Sequence, residues 1–297
     1  MPSEQREITV RRIQFKYPDD LRVHWHPDKP EWSQIVNACS LLMPYLEPFL
    51  IDSVRAVLPM IEDPALADEA RAYIGQEANH FRQHRNFNEI VIGQGYGELR
   101  EYERRLEADY ASFRERDLRF RLGYTAGFET MALALGHMLV RHRRHFFEGA
   151  DPAVSSLVLW HFVEELEHKT SAFYIYQYFY GGTPGGYLYR VYMLFRTIAH
   201  TIGRSRRAFH RMMRIDGLDR SRRSRWRSRW LMFRVLCWSL PKILHGALPW
   251  HRPERVPDPA WVDEWVALYD ADAGGVALLD TSRMARGPVP CKKEVTA

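Results

Sequence analysis

Residues 76–88 read QEANHFRQHRNFN and residues 160–173 read WHFVEELEHKTSAF. Each stretch holds a Glu-x-x-His motif, Glu77 with His80 and Glu165 with His168. On a helix, residues three apart are neighbours with Cβ atoms about 5–6 Å apart, so each motif sets a carboxylate beside an imidazole. The surrounding spacing predicts helices. Ala70, Tyr73, Glu77, His80, His84, Phe87 and Val91 recur every three or four residues, as do Val154, Val158, His161, Glu165, His168, Ala172, Ile175 and Phe179. The ionisable groups therefore lie on the apolar stripes, the sides that helices bury. A buried carboxylate without a partner is costly, and a divalent cation would neutralise it.

Outward from these stretches, two more stripes each carry one glutamate. Met43, Glu47, Leu50, Val54 and Leu58 predict a helix over about 31–59, in which Pro44 and Pro48 bracket Glu47 and predict a kink or break. Leu122, Ala126, Glu129, Leu133, Gly136 and Val140 predict another over about 117–147. The helix between them runs over about 64–92 and ends at Gly93 and Gly95; the last runs over about 152–180 and ends in the glycines of 181–186. Residues 97–116 read as a charged, helix-prone connector. Short links join the first pair and the second pair, and a long crossover joins the two hairpins. The order is Glu47, Glu77-x-x-His80, crossover, Glu129, Glu165-x-x-His168. Four carboxylates and two imidazoles on four facing helices form the ligand set of ferritin-like di-iron and di-manganese proteins. The fold expected is all-α, a ferritin-like four-helix bundle with a long crossover between helices 2 and 3 and additional C-terminal helices. Its division is an irregular lead-in (1–30), the metal-binding bundle (31–182), a C-terminal helical extension (183–273) and a poorly ordered tail (274–297).

On QEANHFRQHRNFN (76–88), GFETMALAL (127–135) and WHFVEELEHKTSAF (160–173) the chain resembles the ferritin-like di-iron carboxylate superfamily and, within it, the bacterial family described as "predicted metal-dependent hydrolase". The resemblance covers about residues 5–215. It implies Glu47, Glu77, His80, Glu129, Glu165 and His168 as metal ligands.

Other residues flank this set. His84 and His161 lie one turn from the motifs and are each read as an extra ligand or as a donor that holds a ligand in place. Glu164 competes with Glu165, because it too is a helical neighbour of His168; the stripe favours Glu165 and leaves Glu164 behind it. Glu167 and Lys169 are expected to face solvent. Tyr73, Tyr124, Phe128, Tyr174 and Tyr176 are placed near the centre, as core or as pocket lining. His137 lies beside the stripe of its helix.

Cys39, Cys237 and Cys291 are far apart and form neither a disulfide framework nor a thiolate metal site. A reducing, cytoplasmic setting fits them. The net charge of +5 is local: twelve arginines and only two aspartates fall between Arg204 and Arg234, which leaves the rest of the chain net acidic. Within 220–238 the arginines alternate with Trp226, Trp230, Phe233 and Trp238. That segment suits either an anionic membrane surface or docking on the bundle; a nucleic-acid partner is disfavoured because no recognised motif accompanies it.

The leading functional expectation is a di-iron oxidoreductase, with manganese accepted by the same ligands. It would activate dioxygen to hydroxylate, desaturate or N-oxygenate an apolar or amphipathic small molecule, a lipid-like one included. An external electron donor would be required, as no Gly-rich dinucleotide motif is present. The alternative is a metal-dependent hydrolase with a dinuclear centre, and the third reading is a non-enzymatic iron-binding protein. A homodimer is the base-rate expectation for assembly.

Overall fold

The computed structural model describes residues 8–271 and 278–286, and the regular elements in that range are helices. In chain order they are α1 (Pro30–Ser40), α2 (Met43–Val57), α3 (Pro64–Gly93), α4 (Leu99–Arg114), α5 (Leu118–Arg141), α6 (Arg143–Phe147), α7 (Pro152–Glu167), α8 (Ser171–Tyr180), α9 (Pro184–Ile215), α10 (Arg222–Gly246) and α11 (Trp261–Ala271). The chain is all-α. Helix α2 packs along α3, and α5 along α7, α8 and α9, while α1 lies on α9 and α10 on α5.

The prolines account for the first interruption. The helix expected over 31–59 breaks at Leu41–Leu42 into α1 and α2. Pro44 has no N–H for the Ser40 carbonyl, and Pro48 none for the Pro44 carbonyl. Both acceptors are taken up by α3 instead: Asn88 Nδ2 donates to Ser40 O at 2.9 Å and Arg85 Nη2 to Pro44 O at 3.4 Å. The break thereby fastens α2, and Glu47 on it, to α3.

Asp63 caps α3, accepting from Ala65 N at 2.9 Å. One face of this helix also holds the lead-in. Gln76 Nε2 donates to Thr9 O at 2.9 Å, Asn79 Nδ2 to Arg11 O at 2.8 Å, and Gln83 Oε1 accepts from Phe15 N at 3.1 Å. A Cβ on Gly75 would come within 2.8 Å of a Val10 methyl, so the glycine lets the lead-in lie flat on α3.

The helix expected over 152–180 is likewise two helices, interrupted at 168–170. The hydroxyls of Thr170 and Ser171 both donate to Glu69 Oε1, at 2.6 and 2.8 Å. Such side-chain bonds offer the backbone an alternative to the helix. His168 consequently sits at the C-cap of α7, with its N–H still bonded to Glu164 O at 3.1 Å.

Two apolar clusters meet in the interior. One contains Phe87, Leu133, Val158 and Trp160; the other contains Leu46, Phe49, Tyr73, Phe128 and Ile175. Helix α9 approaches α5 closely at Gly127, where a Cβ would stand 3.0 Å from Met193 O. One run, Pro30–Met60, is long and apolar enough to span a membrane by length and composition, but 78% of its most apolar window is buried inside the protein. Of the tail after Gly274, residues 278–286 pack against the start of α7, where Leu279 N donates to Ser156 Oγ at 2.8 Å and Gly149 N to Thr281 O at 3.1 Å. The rest of that tail lies outside the described residues.

Candidate metal centre

Glu47 from α2, Glu77 and His80 from α3, Glu129 from α5, Glu165 from α7 and His168 from its cap converge at the seam between the two apolar clusters. All six are at most 2% exposed. Ligand-capable atoms of Glu77, Glu129, Glu165 and His168 all lie within 4.8 Å of one another, as do those of Glu47, Glu77 and His80. His161 joins two further groups of three residues, one with His80 and Glu165 and one with Glu47 and His84.

The hydrogen bonds decide which nitrogen of each imidazole faces this ring. His80 Nε2 donates to Glu164 Oε2 at 3.0 Å, which leaves a bare Nδ1 facing Glu165 Oε1 at 3.8 Å and Glu77 Oε1 at 3.9 Å. His168 Nδ1 donates to Gln76 Oε1 at 2.8 Å, so its Nε2 faces Glu165, Glu129 and Glu77 at 3.2, 3.3 and 3.4 Å. Ser40 Oγ spends its one proton on Asn88 Oδ1 at 2.6 Å and must therefore accept from His84 Nδ1 at 2.8 Å. The bare His84 Nε2 lies 3.2 Å from His161 Nδ1, and His161 Nε2 lies 3.3 Å from Glu165 Oε1. His84 thus orients His161, and it also lies within ligand reach of Glu47.

Burial sets the charge states. It raises Glu47 and Glu77 well above the usual carboxylate range, with the neighbouring carboxylates adding to the effect. Glu165 is pushed up to about 8 by burial and by Glu129. Burial pulls His80 and His161 well below the usual imidazole range, and His84 down to about 3. For His168, burial opposes protonation, but Glu165 and Glu129 outweigh it and raise the group.

Buried atoms without a hydrogen-bond partner test whether the site suits a cation. They include both carboxylate oxygens of Glu47 and of Glu77, Glu129 Oε2, Glu165 Oε1 and His80 Nδ1. Uncompensated buried charge costs several kcal/mol per ion, and these atoms belong to a single ring. All are oxygen or imidazole nitrogen donors, which suit divalent iron, manganese or zinc. The residues fit a metal centre.

Behind the ring runs a second circuit. Glu164 accepts from His80 and from Arg11 Nη1, the latter at 3.3 Å; Arg11 also grips both oxygens of Glu167 at 2.6 and 2.8 Å; Gln76 Nε2 donates to Glu167 Oε2 at 2.9 Å and holds His168 through its oxygen. Arg11 arrives on the lead-in, so the segment held to α3 closes the chain of bonds from one imidazole to the other. Tyr73 donates to Glu129 Oε1 at 2.8 Å and packs edge-on to His168.

The family model described as "Predicted metal-dependent hydrolase" matches residues 9–258 of the chain. The chain belongs to that family. No curated protein and no solved structure matches it.

Membership of the predicted metal-dependent hydrolases overturns the expectation of an oxygen-activating oxidoreductase and supports the hydrolytic alternative. The residues alone pointed both ways, because hard oxygen and nitrogen donors hold redox-active and redox-inert divalent ions alike. The structure brings together all six expected ligands and places His84 and His161 beside them. It turns Glu164 away from the ring, onto Arg11 and His80. Glu167, expected in solvent, is 4% exposed because Arg11 and Gln76 hold it; Lys169 pairs with Asp258 at 2.7 Å. Of the aromatic residues placed near the centre, Tyr73 bonds to it, whereas Tyr124 bonds to Tyr110 and His200 and Tyr176 to Gly186 O. The sequence reading missed Arg11, Gln76 and Ser40. For Gln76 a signal existed, since it precedes Glu77 on a buried helix; nothing local marks Arg11.

Proposed function

We propose that the chain is a metal-dependent hydrolase that uses the ring of Glu47, Glu77, His80, Glu129, Glu165 and His168, with His161 as a further donor, to hold two divalent ions, iron or manganese. In this reading α2, α3, α5 and α7 are the four helices of a ferritin-like bundle. The observation that carries the proposal is the convergence of partnerless buried carboxylate oxygens and the bare His80 Nδ1 within one ring, in a chain of a hydrolase family.

Two divalent ions in such a ring would supply an activated water and charge stabilisation for the leaving oxygen. The chain's own residues do the rest. The four inner carboxylates provide the countercharge. Glu164 and Gln76 fix the tautomers of His80 and His168, so that both present a lone pair inward. Arg11 balances Glu164 and Glu167, which keeps those two carboxylates from competing for the ions. The apolar clusters on either side limit bulk water. Ser40 Oγ accepts from His84 Nδ1 and His84 Nε2 faces His161 Nδ1, so this pair of contacts orients His161 with Nε2 towards the ring.

The test is turnover of a panel of chromogenic carboxylic, phosphate and amide substrates by metal-loaded protein in ¹⁸O-labelled water. The proposal expects at least one substrate class to be cleaved, with label from water in the product, no dioxygen consumed, and activity lost in Glu77→Gln. Turnover that requires dioxygen, or that persists in Glu77→Gln, would overturn it.

A further inference from the structure

Helix α10 is amphipathic in the reverse of the usual sense. The face it turns to the protein includes Ser224, Ser228, Ser239 and Gly246, along with Leu231 and Ile243. Ser228 and Ser239 satisfy themselves on their own helix, bonding to Ser224 O and Val235 O at 2.9 and 2.7 Å. The opposite face carries Trp226, Trp230, Phe233, Leu240 and Leu244, exposed by 65, 41, 53, 38 and 49%. With the exposed Cys237 between Phe233 and Leu240, these positions recur every three or four residues along one line, roughly 27 Å long at 1.5 Å per residue. Trp226 stacks on Trp230 and Trp230 on Phe233, with interplanar angles of 10° and 21°. A surface helix ordinarily buries such a stripe, and a continuous exposed one marks an interaction site.

The charges around the stripe identify what covers it. Arg222, Arg223 and Arg229 are exposed beside Trp226 and Trp230 and have no ion-pair partner among the described residues. Residues 222–246 contain no Asp or Glu. A second copy docked through this helix would bring arginine to arginine with no countercharge. A nucleic acid would meet the arginines but leave five large apolar side chains in water. An anionic bilayer meets both demands: the apolar stripe enters the interface, Trp sits at headgroup level, and the arginines reach lipid phosphates.

We infer that α10 is a membrane-docking helix that lies in the surface of an anionic bilayer, Trp226, Trp230 and Phe233 inserted and Arg222, Arg223 and Arg229 on the phosphates. This holds the protein at a membrane without a span, and it is independent of the reaction at the metal centre.

Co-sedimentation of the full chain with vesicles tests it, using phosphatidylcholine alone and phosphatidylcholine with about a third phosphatidylglycerol. The intact chain is expected to pellet with the anionic vesicles, about tenfold more weakly with the neutral ones, and less as salt rises. The exposed triple variants Trp226→Ser/Trp230→Ser/Phe233→Ser and Arg222→Glu/Arg223→Glu/Arg229→Glu should each bind at least about tenfold more weakly while keeping the melting temperature of the parent. The inference is overturned if the intact chain stays in the supernatant with anionic vesicles, or if both variants pellet like the parent. It is equally overturned if sedimentation velocity shows a dimer that the aromatic variant dissolves while vesicle binding is unchanged.

Discussion

Two sets of glutamates in this protein are equally buried and treated in opposite ways. Glu164 and Glu167, on the outer circuit, are 0 and 4% exposed, and every element around them supplies a donor: Arg11, Gln76, His80. Glu47, Glu77, Glu129 and Glu165, on the inner ring, are 0–2% exposed and retain oxygens that no donor reaches. Burial alone therefore does not mark a ligand. A buried carboxylate matched by a guanidinium is a structural member of the core, and one left unmatched among its own kind is neutralised from outside the chain, by a proton or, in the function proposed above, by a cation.

The two sets should respond to substitution with opposite signs, which gives the largest expected effect. Arg11→Ala strands Glu164 and Glu167, at a cost of about 3–5 kcal/mol, or a fall on the order of 10 °C in melting temperature. Glu77→Gln replaces one of four crowded, buried carboxyl groups with a neutral amide, so in metal-free protein the melting temperature should rise. Calorimetry of both variants in chelator checks the pair, and a fall in both would erase the distinction between the sets.

Next in size is the response to metal removal. A cation that binds only the folded state stabilises it by about 4 kcal/mol at a thousand times its dissociation constant. Chelator should lower the melting temperature of the parent chain accordingly and leave that of Glu77→Gln unchanged.

Gln76→Leu tests the join between the circuits. His168 Nδ1 would lose its acceptor while the inner ring keeps all its donors. Metal affinity should fall by about 10- to 100-fold with the helical content unchanged, as measured by competition titration and circular dichroism.

The smallest effect concerns a third way of burying an ionisable group, which is to keep it neutral. His26 is 1% exposed, and both ring nitrogens lack partners. Burial, aided by Lys29, lowers it to about 4. A folded-state value below the unfolded one means that its contribution is fully present above about pH 6.5 and is lost as pH falls towards 4. His26→Phe should flatten the decline of stability over that window by up to one proton.

The inner ring was legible in the sequence because its members sit on helical stripes, where a charged residue is out of place. Glu77, His80, Glu129 and Glu165 follow from periodicity, and Glu47 from its stripe despite the flanking prolines. The outer circuit was not legible, since Arg11 reaches Glu164 and Glu167 from more than 150 residues away and no local pattern encodes that path. Two helix breaks were placed incompletely for a related reason. The kink predicted near Pro44 and Pro48 became a break before Pro44, and the interruption at 168–170 was missed, because the compensating bonds come from Asn88, Arg85 and Glu69 on α3. Glu167 looked like a solvent residue because its partners lie on other segments.

The central claim is that the inner ring is a metal centre, and elemental analysis of the full chain purified without chelator tests it most directly. The account predicts about two divalent ions per chain, iron or manganese, retained through gel filtration and lost in a Glu77→Ala/Glu165→Ala variant. Protein that remains folded with no stoichiometric metal, or metal that the double variant retains, would contradict it.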